Sequence, residues 1–354
     1  MAEIVTREDV LAMVERGETI RGIIFPAADF TNADLSGVVI EGCAFPGARF
    51  GGATLQESSF IACNLEGCNF EGAKLKLATF HKGSLDGSVF HAADLTATKF
   101  VELSLVQTNF AGCTLPITAF VKCRLTGANF EKVYFDRTVF TESTFDDAVL
   151  TGANLNTVTL YQADLRKAHI GGAQLVKCVL VESNCAELSF EGADLRTTQF
   201  IGADLRGVSF ARAELERCNF HEAKCEGASF DGASAKMAMF SSADLKGASF
   251  KKTDLDQAGF IGAKAPQAAF QGANLTMAQF GKAELEGALF TDAILTYADF
   301  SHADIRRANF TGASLFRATF HKAREEGASF TNRSPALGND ERRARAEEFP
   351  RDGS

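Results

Sequence analysis

The chain has 354 residues, of which 46% are hydrophobic, and its net charge is −9. No run of about 18 apolar residues occurs and the first residues are charged, so neither a membrane-spanning helix nor an export signal is expected. We therefore expect a soluble cytoplasmic protein. The positive charges form no basic stripe, which argues against direct binding of nucleic acid.

The first predicted element is a short helix in the stretch TREDVLAMVERG. Thr6 is the expected N-cap, acidic residues occupy the first turn, and Gly17 follows the last helical residue. Val10, Leu11 and Val14 share one face of this helix. We expect that face to cover the start of the region that follows, so residues 1–20 are interpreted as a capping helix and lead-in.

A five-residue period begins at Phe25 and continues without a slip to Phe330. Of the 62 residues at multiples of five, 30 are Phe, 24 are Leu and 3 are Ile. The position two residues earlier is Ala in 37 cases, and Cys, Ser, Thr or Gly in 18 more. Neither a helix, with its period of 3.6, nor a strand, with its period of 2, explains this spacing.

The period predicts which side chains point inward. A large apolar residue at the centre of each pentapeptide and a small residue two before it both suit a narrow core, whereas the other three positions are mostly polar. A short extended segment followed by a turn, when repeated, forms a coil whose backbone groups pair with the coils above and below. Residues 21–332 are therefore predicted to form one solenoid.

The stretches GADLRG, SADLKGASF and GANLTMAQF match the pattern A-(D/N)-L-x-x, and over residues 25–330 the chain resembles the pentapeptide repeat proteins. This resemblance implies an all-β fold, a right-handed quadrilateral β-helix in which four pentapeptides make one coil. The 62 units would then form 62/4, or about 15, coils. Phe lies mostly at multiples of ten and Leu or Ile at the fives between, which agrees with Phe on two opposite sides of a four-sided coil.

The middle of the repeat departs from the Phe pattern. Aliphatic residues replace four successive Phe, namely Leu150, Leu160, Ile170 and Leu180. Two interpretations are open: a neutral change in core packing, or a bend or binding belt at this height. The candidate interaction belt consists of outward residues near this change: Tyr134, Glu142, Asp146, Asp147 and Tyr161.

The nine cysteines fall on inward positions of the period, where a free thiol behaves as a small apolar group. They are Cys43, Cys63, Cys68, Cys113, Cys123, Cys178, Cys185, Cys218 and Cys225. Cys218, His221, Glu222 and Cys225 resemble a metal-binding spacing, but His221 is predicted to point outward and the cysteines inward. The other histidines, His81, His91, His169, His302 and His321, are predicted to be outward and scattered. We expect no metal and no disulfide.

The repeat is predicted to end near Glu325, where an acid replaces the apolar centre. Residues 333–354 are interpreted as a charged C-terminal tail that is partly disordered or forms a short helix, with PRDGS as the disordered part. No phosphate-binding glycine motif and no catalytic constellation is present, so we expect neither enzyme activity nor a cofactor.

Two functions remain. The first is a non-enzymatic, rigid scaffold or adaptor that binds other proteins. The second comes from the resemblance, because some pentapeptide repeat proteins, among them quinolone-resistance factors, mimic DNA and occupy the DNA-binding saddle of gyrase. A mimic needs a continuous acidic face, whereas this sequence sets an acid before many centres and a base after them, so we favour the scaffold. The lead-in REDVLAMVERGETIRGIIF also resembles segments of bacterial type VI secretion-associated proteins, which adds a secretion-system association to the scaffold hypothesis.

Overall fold

A computed structural model describes residues 6–348 of the chain. The chain divides after Asn184 into two compact units, which we call the N-terminal unit (residues 6–184) and the C-terminal unit (residues 185–348). In both units, residues at matching places in adjacent coils pair in parallel and are about twenty positions apart, as Phe60 and Phe80 or Ser209 and Ser229. Twenty residues are four pentapeptides, so each unit is a four-sided parallel β-solenoid.

The N-terminal unit begins with a helix and continues as stacked short strands. The elements are α1 Arg7–Glu15, β1 Ile20–Arg21, β2 Val39–Glu41, β3 Ser59–Asn64, β4 Thr79–Ser84, β5 Lys99–Ser104, β6 Thr114–Pro116, β7 Ala119–Val121, β8 Tyr134–Asp136, β9 Val139–Thr141 and β10 Thr159–Tyr161. One side of the coils forms an eight-stranded parallel sheet in the order β1-β2-β3-β4-β5-β7-β9-β10. Strands β6 and β8 pair on another side.

The C-terminal unit is held mainly by single bridges between coils. Its regular elements are β11 Asn309–Phe310, β12 Ser329–Phe330 and α2 Glu341–Glu348. Pairing between coils continues beyond the predicted end at residue 332, because Leu337 N donates to Ala318 O and Phe320 N donates to Leu337 O. The segment predicted as disordered, residues 350–354, lies outside the described residues. Between residues 6 and 348, neither helix is long and apolar enough to cross a lipid bilayer.

Every backbone N–H of a typical pentapeptide has a partner, and four of the five partners are backbone carbonyls. Three N–H groups donate to carbonyls of neighbouring coils: that of the central residue, that of the residue before it and that of the second residue after it. The N–H of the third residue after the centre donates to the carbonyl of the centre and closes a turn. Around Phe30 these bonds are Phe30 N to Arg49 O, Asn32 N to Gly51 O, Arg49 N to Ala28 O and Ala33 N to Phe30 O, at 2.7–3.0 Å. The sides of the coils therefore carry no open strand edge there.

The fifth N–H explains why Asp or Asn so often precedes the centre. The side chain at that position accepts a hydrogen bond from the backbone N–H two residues later, as Asp29 Oδ1 does from Thr31 N at 3.0 Å and Asn69 Oδ1 from Glu71 N at 2.8 Å. This is the local bond that makes Asp and Asn favourable at turns. Hydrogen bonds from Thr31 and from Arg49 lower the pKa of Asp29 to about 2.

The core is built from columns of stacked Phe rings. Phe250 stacks on Phe230 and Phe270 with ring centroids 4.6 and 4.9 Å away, and meets Phe240 and Phe260 edge-on at 5.5 and 5.8 Å. Both geometries are favourable for aromatic rings. The predicted gap in the Phe pattern is present in the core, where Leu150, Leu160 and Leu180 are buried and Ile170 is half-buried.

Candidate interaction surfaces

The structure places the predicted belt residues at several points around the N-terminal unit. Glu142 and Tyr161 are neighbours on one corner, where Glu142 N donates to Tyr161 O at 2.9 Å. Asp146 and Asp147 lie on the next corner along the chain, and Tyr134 lies in β8, half a coil away from the side centred on residue 145. Tyr134 is therefore on the opposite side from the two aspartates and does not share a surface with them.

Two of the three belt acids are paired with lysines. Lys122 Nζ lies 3.6 Å from Glu142 Oε2, and Lys167 Nζ lies 3.5 Å from Asp146 Oδ1. These pairs join positions about twenty residues apart, so they were not visible as neighbours in the sequence. The belt consequently presents alternating charges and not a block of negative charge.

The predicted cap residues belong to α1, which packs on β1. Thr6 is the N-cap, as predicted, and its side chain accepts a hydrogen bond from Asp9 N in a capping box. Val10 is fully buried, whereas Leu11 and Val14 are half-buried. Because burial of these side chains removes apolar surface from water at the first coil, we propose that α1 acts as its cover.

The C-terminal unit carries a face on which the sign of the charge changes between most successive coils. One column contains Asp204, Lys224, Asp244, Lys264, Glu284, Asp304 and Arg324, which occupy the same place in successive coils. The adjoining corner contains Arg206, Glu226, Lys246, Pro266, Glu286, Arg306, Arg307 and Glu326. We call these residues the charge-alternating face. It contains seven acids and seven bases, so its net charge is zero.

The charges of this face are paired within and between coils. Arg206 Nη2 lies 2.5 Å from Asp204 Oδ2, and Lys246 Nζ lies 2.9 Å from Glu226 Oε1 in the preceding coil. The hydrogen bond from Arg206 lowers the pKa of Asp204 below its ordinary value. Fields of such adjacent opposite charges cancel beyond about 10 Å in physiological salt, so the face does not present a phosphate-like row of anions.

A second surface in the C-terminal unit was not predicted from the sequence. Met237, Met277, Tyr297 and Phe316 lie along one corner of the coils, with Gln257 between the two methionines, and their exposures are 42%, 47%, 42% and 53%. We call these four residues the apolar row. The rings of Tyr297 and Phe316 meet edge-on with centroids 5.8 Å apart. Large apolar side chains gathered on a surface mark interaction sites more often than single exposed ones do.

The sequence did contain a signal for this row. Phe316 is one of only two Phe off the five-residue grid, and the three methionines of the repeat region fall at outward positions, two of them in this row. Read one residue at a time, these look like isolated exposed apolar residues. They become one surface only after residues twenty apart are placed in adjacent coils.

The structure also brings together side chains near the end of the C-terminal unit. His302 Nε2 and His321 Nε2 each lie 3.3 Å from Glu347 Oε2 of α2, and Lys322 Nζ lies 3.1 Å from the same oxygen. The prediction that the histidines are outward and scattered is wrong for this pair, because His321 is completely buried and its ring lies 5.4 Å from that of His302.

The hydrogen bonds of this cluster fit an ion-paired clasp better than a metal site. Asp340 N donates to His321 Nδ1 at 3.1 Å, so the ring hydrogen lies on Nε2, which donates to Glu347 and has no free lone pair for a metal. Burial opposes ionisation of Glu347, but hydrogen bonds from Lys322, His321, Arg343 and His302 outweigh it and lower the pKa to about 2. Glu347 thus fixes α2 on the last coils.

The cysteines occupy the inward positions that the period predicts, and all nine are buried. Several thiols donate to carbonyl oxygens of the preceding coil, as Cys68 Sγ does to Phe45 O at 3.1 Å. Burial raises the pKa of Cys68 to about 12 and that of Cys63 to about 11. Cys218 and Cys225 are likewise in the core, whereas His221 is partly exposed and its Nδ1 contacts Ser241 O.

Comparison with known proteins places this repeat in a family. The family model described as "Pentapeptide repeat region" matches residues 28–110 and 113–190. The model described as "Pentapeptide repeats (8 copies)" matches residues 198–234, 238–276, 256–292, 273–312 and 293–332. Among curated proteins, none is significantly similar to this chain.

Three solved structures are similar to parts of the chain. HetL, a pentapeptide repeat protein involved in heterocyst differentiation regulation in Nostoc sp. strain PCC 7120, is 28% identical over 65% of this chain and 86% of its own, with a TM-score of 0.24. Full-length QnrB1, a plasmid-mediated fluoroquinolone resistance protein, is 18% identical over 68% and 87%, with a TM-score of 0.19. A pentapeptide repeat protein of the Arabidopsis thaliana thylakoid lumen is 28% identical over 37% and 70%, with a TM-score of 0.17.

At these TM-scores the three structures carry no information about the function of this chain. The family models, in contrast, together cover nearly all of the repeat, from residue 28 to residue 332. By its sequence and by its twenty-residue coils, the chain belongs to the pentapeptide repeat family.

Proposed function

We propose that the chain is a non-enzymatic scaffold that binds other proteins through the side chains on its coils. The observation that carries this proposal is the apolar row, where four large apolar side chains are exposed on one corner although the core has inward positions for such residues. Methionine and aromatic residues are typical of protein-binding surfaces, because they offer large contact areas and adapt to a partner.

The pairing of charges argues against the alternative, a DNA mimic that binds gyrase. A mimic replaces phosphates with carboxylates on a basic surface and needs negative charge along one face. The charge-alternating face is neutral, and Glu142 and Asp146 of the belt are paired with lysines. We therefore expect the purified protein to leave gyrase supercoiling unchanged at concentrations where a mimic inhibits or protects the enzyme.

A supercoiling assay tests this exclusion. One result would favour the DNA-mimic hypothesis over the scaffold hypothesis. It is a salt-dependent modulation of supercoiling that is lost when Glu142, Asp146 and Asp147 are changed to Gln or Asn. The assay needs a positive control, a protein known to act on gyrase, to show that modulation is detectable under the same conditions.

Affinity capture from the native host tests the scaffold itself. We expect defined proteins to co-purify with the wild-type chain in reproducible amounts, as identified by mass spectrometry after chemical cross-linking. Components of a bacterial secretion assembly among them would support the association suggested by the lead-in. If no protein is enriched over a control repeat protein of the same family, the scaffold proposal fails.

A further inference from the structure

We propose that the apolar row is the docking site for an amphipathic α-helix of a partner protein with acidic residues toward both of its ends. This inference rests on the proposed scaffold function and specifies the partner of that surface. It follows from three features of the C-terminal unit: the geometry of the row, the hydrogen bonding of the backbone around it, and the charges at its ends.

The row has a regular spacing. Six residues occupy the same corner position in successive coils, in the order Arg217, Met237, Gln257, Met277, Tyr297 and Arg317. All six have φ between 55° and 61°, so their side chains leave the corner in the same direction. Adjacent coils are separated by about 4.8 Å, about 0.6 Å less than the 5.4 Å pitch of an α-helix. Over the three coil spacings from Met237 to Tyr297 the mismatch is therefore only about 2 Å, so the turns of a helix laid along the corner can contact these apolar side chains.

The N–H groups of the row residues are not free to pair with an incoming strand. Met237 N donates to Asp256 O, Met277 N to Thr296 O and Tyr297 N to Phe316 O, each at 2.9 Å. A partner that adds a β-strand needs free N–H and C=O groups at a sheet edge, and the N–H groups of these row residues are already bonded to the adjacent coil. A helix satisfies its own backbone hydrogen bonds and docks through side chains alone.

The ends of the row carry the two arginines. Arg317 lies over the ring of Tyr297, with its guanidinium carbon 5.9 Å from the ring centroid. Among residues 6–348, neither Arg217 nor Arg317 has a carboxylate within ion-pair distance, whereas Arg206, Lys236 and Lys246 of the same unit do. Five coil spacings separate the two arginines, or about 24 Å, which corresponds to about 16 residues of α-helix.

These charges disfavour a second copy of the chain as the occupant. If two copies packed row against row with a twofold axis, Arg217 of one copy would meet Arg317 of the other, and a parallel arrangement would place identical arginines together. Like charges brought together at an interface oppose association. A helix with acidic ends instead gives each arginine a partner.

The surroundings also disfavour an anionic membrane. Between the arginines, Gln257, Thr276 and Thr296 lie beside the apolar side chains. Near Met237, Lys236 Nζ is 3.3 Å from Asp254 Oδ2, and Asp256 adds a second carboxylate to the single ammonium group there. A flat bilayer surface would bring its negative charge close to these carboxylates, whereas a helix is narrow enough to follow the corner itself.

Fluorescence anisotropy with designed peptides tests the proposal on the full chain. The probe is a labelled helical peptide of about 18 residues with a Leu and Met face and two Glu at each end. One comparison peptide has Lys in place of the terminal Glu, and another has Pro at its centre, which breaks the helix. We expect the Glu-ended helix to bind at least tenfold more tightly than either comparison peptide.

Protein variants locate the binding site. Met277→Gln is expected to weaken binding of the Glu-ended helix at least tenfold, and the double variant Arg217→Glu, Arg317→Glu is expected to reverse the preference in favour of the Lys-ended helix. Ile261→Gln is the matched control, because Ile261 is similarly exposed, at 52% against 47% for Met277, but lies on another corner. This variant should bind as the wild type does.

Four results would overturn the proposal: no binding of the Glu-ended helix, equal binding of Glu-ended and Lys-ended helices, equal binding of the Pro-containing peptide, or binding unaffected by Met277→Gln. A dimer in light scattering that Met277→Gln dissociates would assign the row to a second copy, and row-dependent sedimentation with anionic vesicles would assign it to a membrane. If host proteins are captured equally by the wild type and Met277→Gln, the scaffold function stands and the docking proposal fails.

Discussion

Replacing Phe210 tests the inward assignment of the pentapeptide centres. Phe210 is completely buried, stacks on Phe190 and Phe230 at 5.4 and 5.0 Å, and meets Phe200 and Phe220 edge-on at 5.7 Å each. Truncation of a buried Phe to Ala costs about 3–5 kcal/mol, and the loss of four ring contacts places Phe210→Ala near the upper end. Phe210→Asp adds an unpaired carboxylate in an apolar core, so we expect it to lower the free energy of unfolding by more than about 5 kcal/mol.

Urea unfolding followed by far-UV circular dichroism measures these changes. Ser209→Asp is the matched control, because it introduces the same charge at the outward neighbour, where we expect a change within about 0.5 kcal/mol. Phe210→Leu, which keeps an apolar side chain like those at Leu150 and Leu160, should cost about 1.5 kcal/mol. If Phe210→Asp unfolds within about 1 kcal/mol of Ser209→Asp, the inward assignment is refuted.

Three further predictions concern the turns, the thiols and the C-terminal clasp. Gly83 has φ +107°, and a Cβ there would overlap the backbone carbonyl of Cys63, whereas Gly87 has open space around it. Gly83→Ala should therefore lower the melting temperature far more than Gly87→Ala does. Equal melting temperatures of the two variants would contradict this. All nine thiols are buried, and burial raises the pKa of Cys63 to about 11 and that of Cys68 to about 12. Thiol reagents at pH 8 should therefore label the native protein slowly, and all nine thiols only after denaturation; fast stoichiometric labelling of the native protein would show that the core is open. Glu347→Gln should speed amide hydrogen exchange in α2 at neutral pH, because the hydrogen-bonded carboxylate is lost. The pKa of Glu347 is depressed to about 2 from 4.5. The stabilisation that Glu347 gives is therefore complete above about pH 4.5 and is lost as the pH falls through 2. Unchanged exchange in this variant would show that the clasp does not hold α2.

The fold was predictable because one local rule repeats. A Phe or Leu at each centre and an Ala two before it specify inward positions without knowledge of distant contacts, and Asp or Asn before the centre supplies the turn bond seen between Asp29 and Thr31. Even the helix α1 was recognisable, since Thr6 and Asp9 form its N-terminal bonds within three residues of each other. Each of these features depends on neighbours along the chain.

The surfaces were less predictable because they depend on residues about twenty apart. The belt acid Glu142 looked unpaired in the sequence, yet Lys122 lies beside it in the adjacent coil. The same twenty-residue spacing places Met277 beside Tyr297 in the apolar row. Burial of His321 had no periodic signal at all, because the tail that reaches it, with Asp340 and Glu347, lies beyond the repeat.

The twenty-residue register restricts how a gene for such a protein can change in length. Insertion of one residue within the C-terminal unit would shift the pattern of inward and outward positions by one in every later coil, so that each apolar centre would fall on an outward position. Loss of five residues would keep that alternation but turn all later side chains by a quarter of a coil, which would carry Met277 and Tyr297 onto a different corner from Met237. Duplication or loss of twenty residues preserves every column and only lengthens or shortens it. Whole-coil changes are thus the steps by which the spacing between Arg217 and Arg317 can be adjusted to a longer or shorter binding partner.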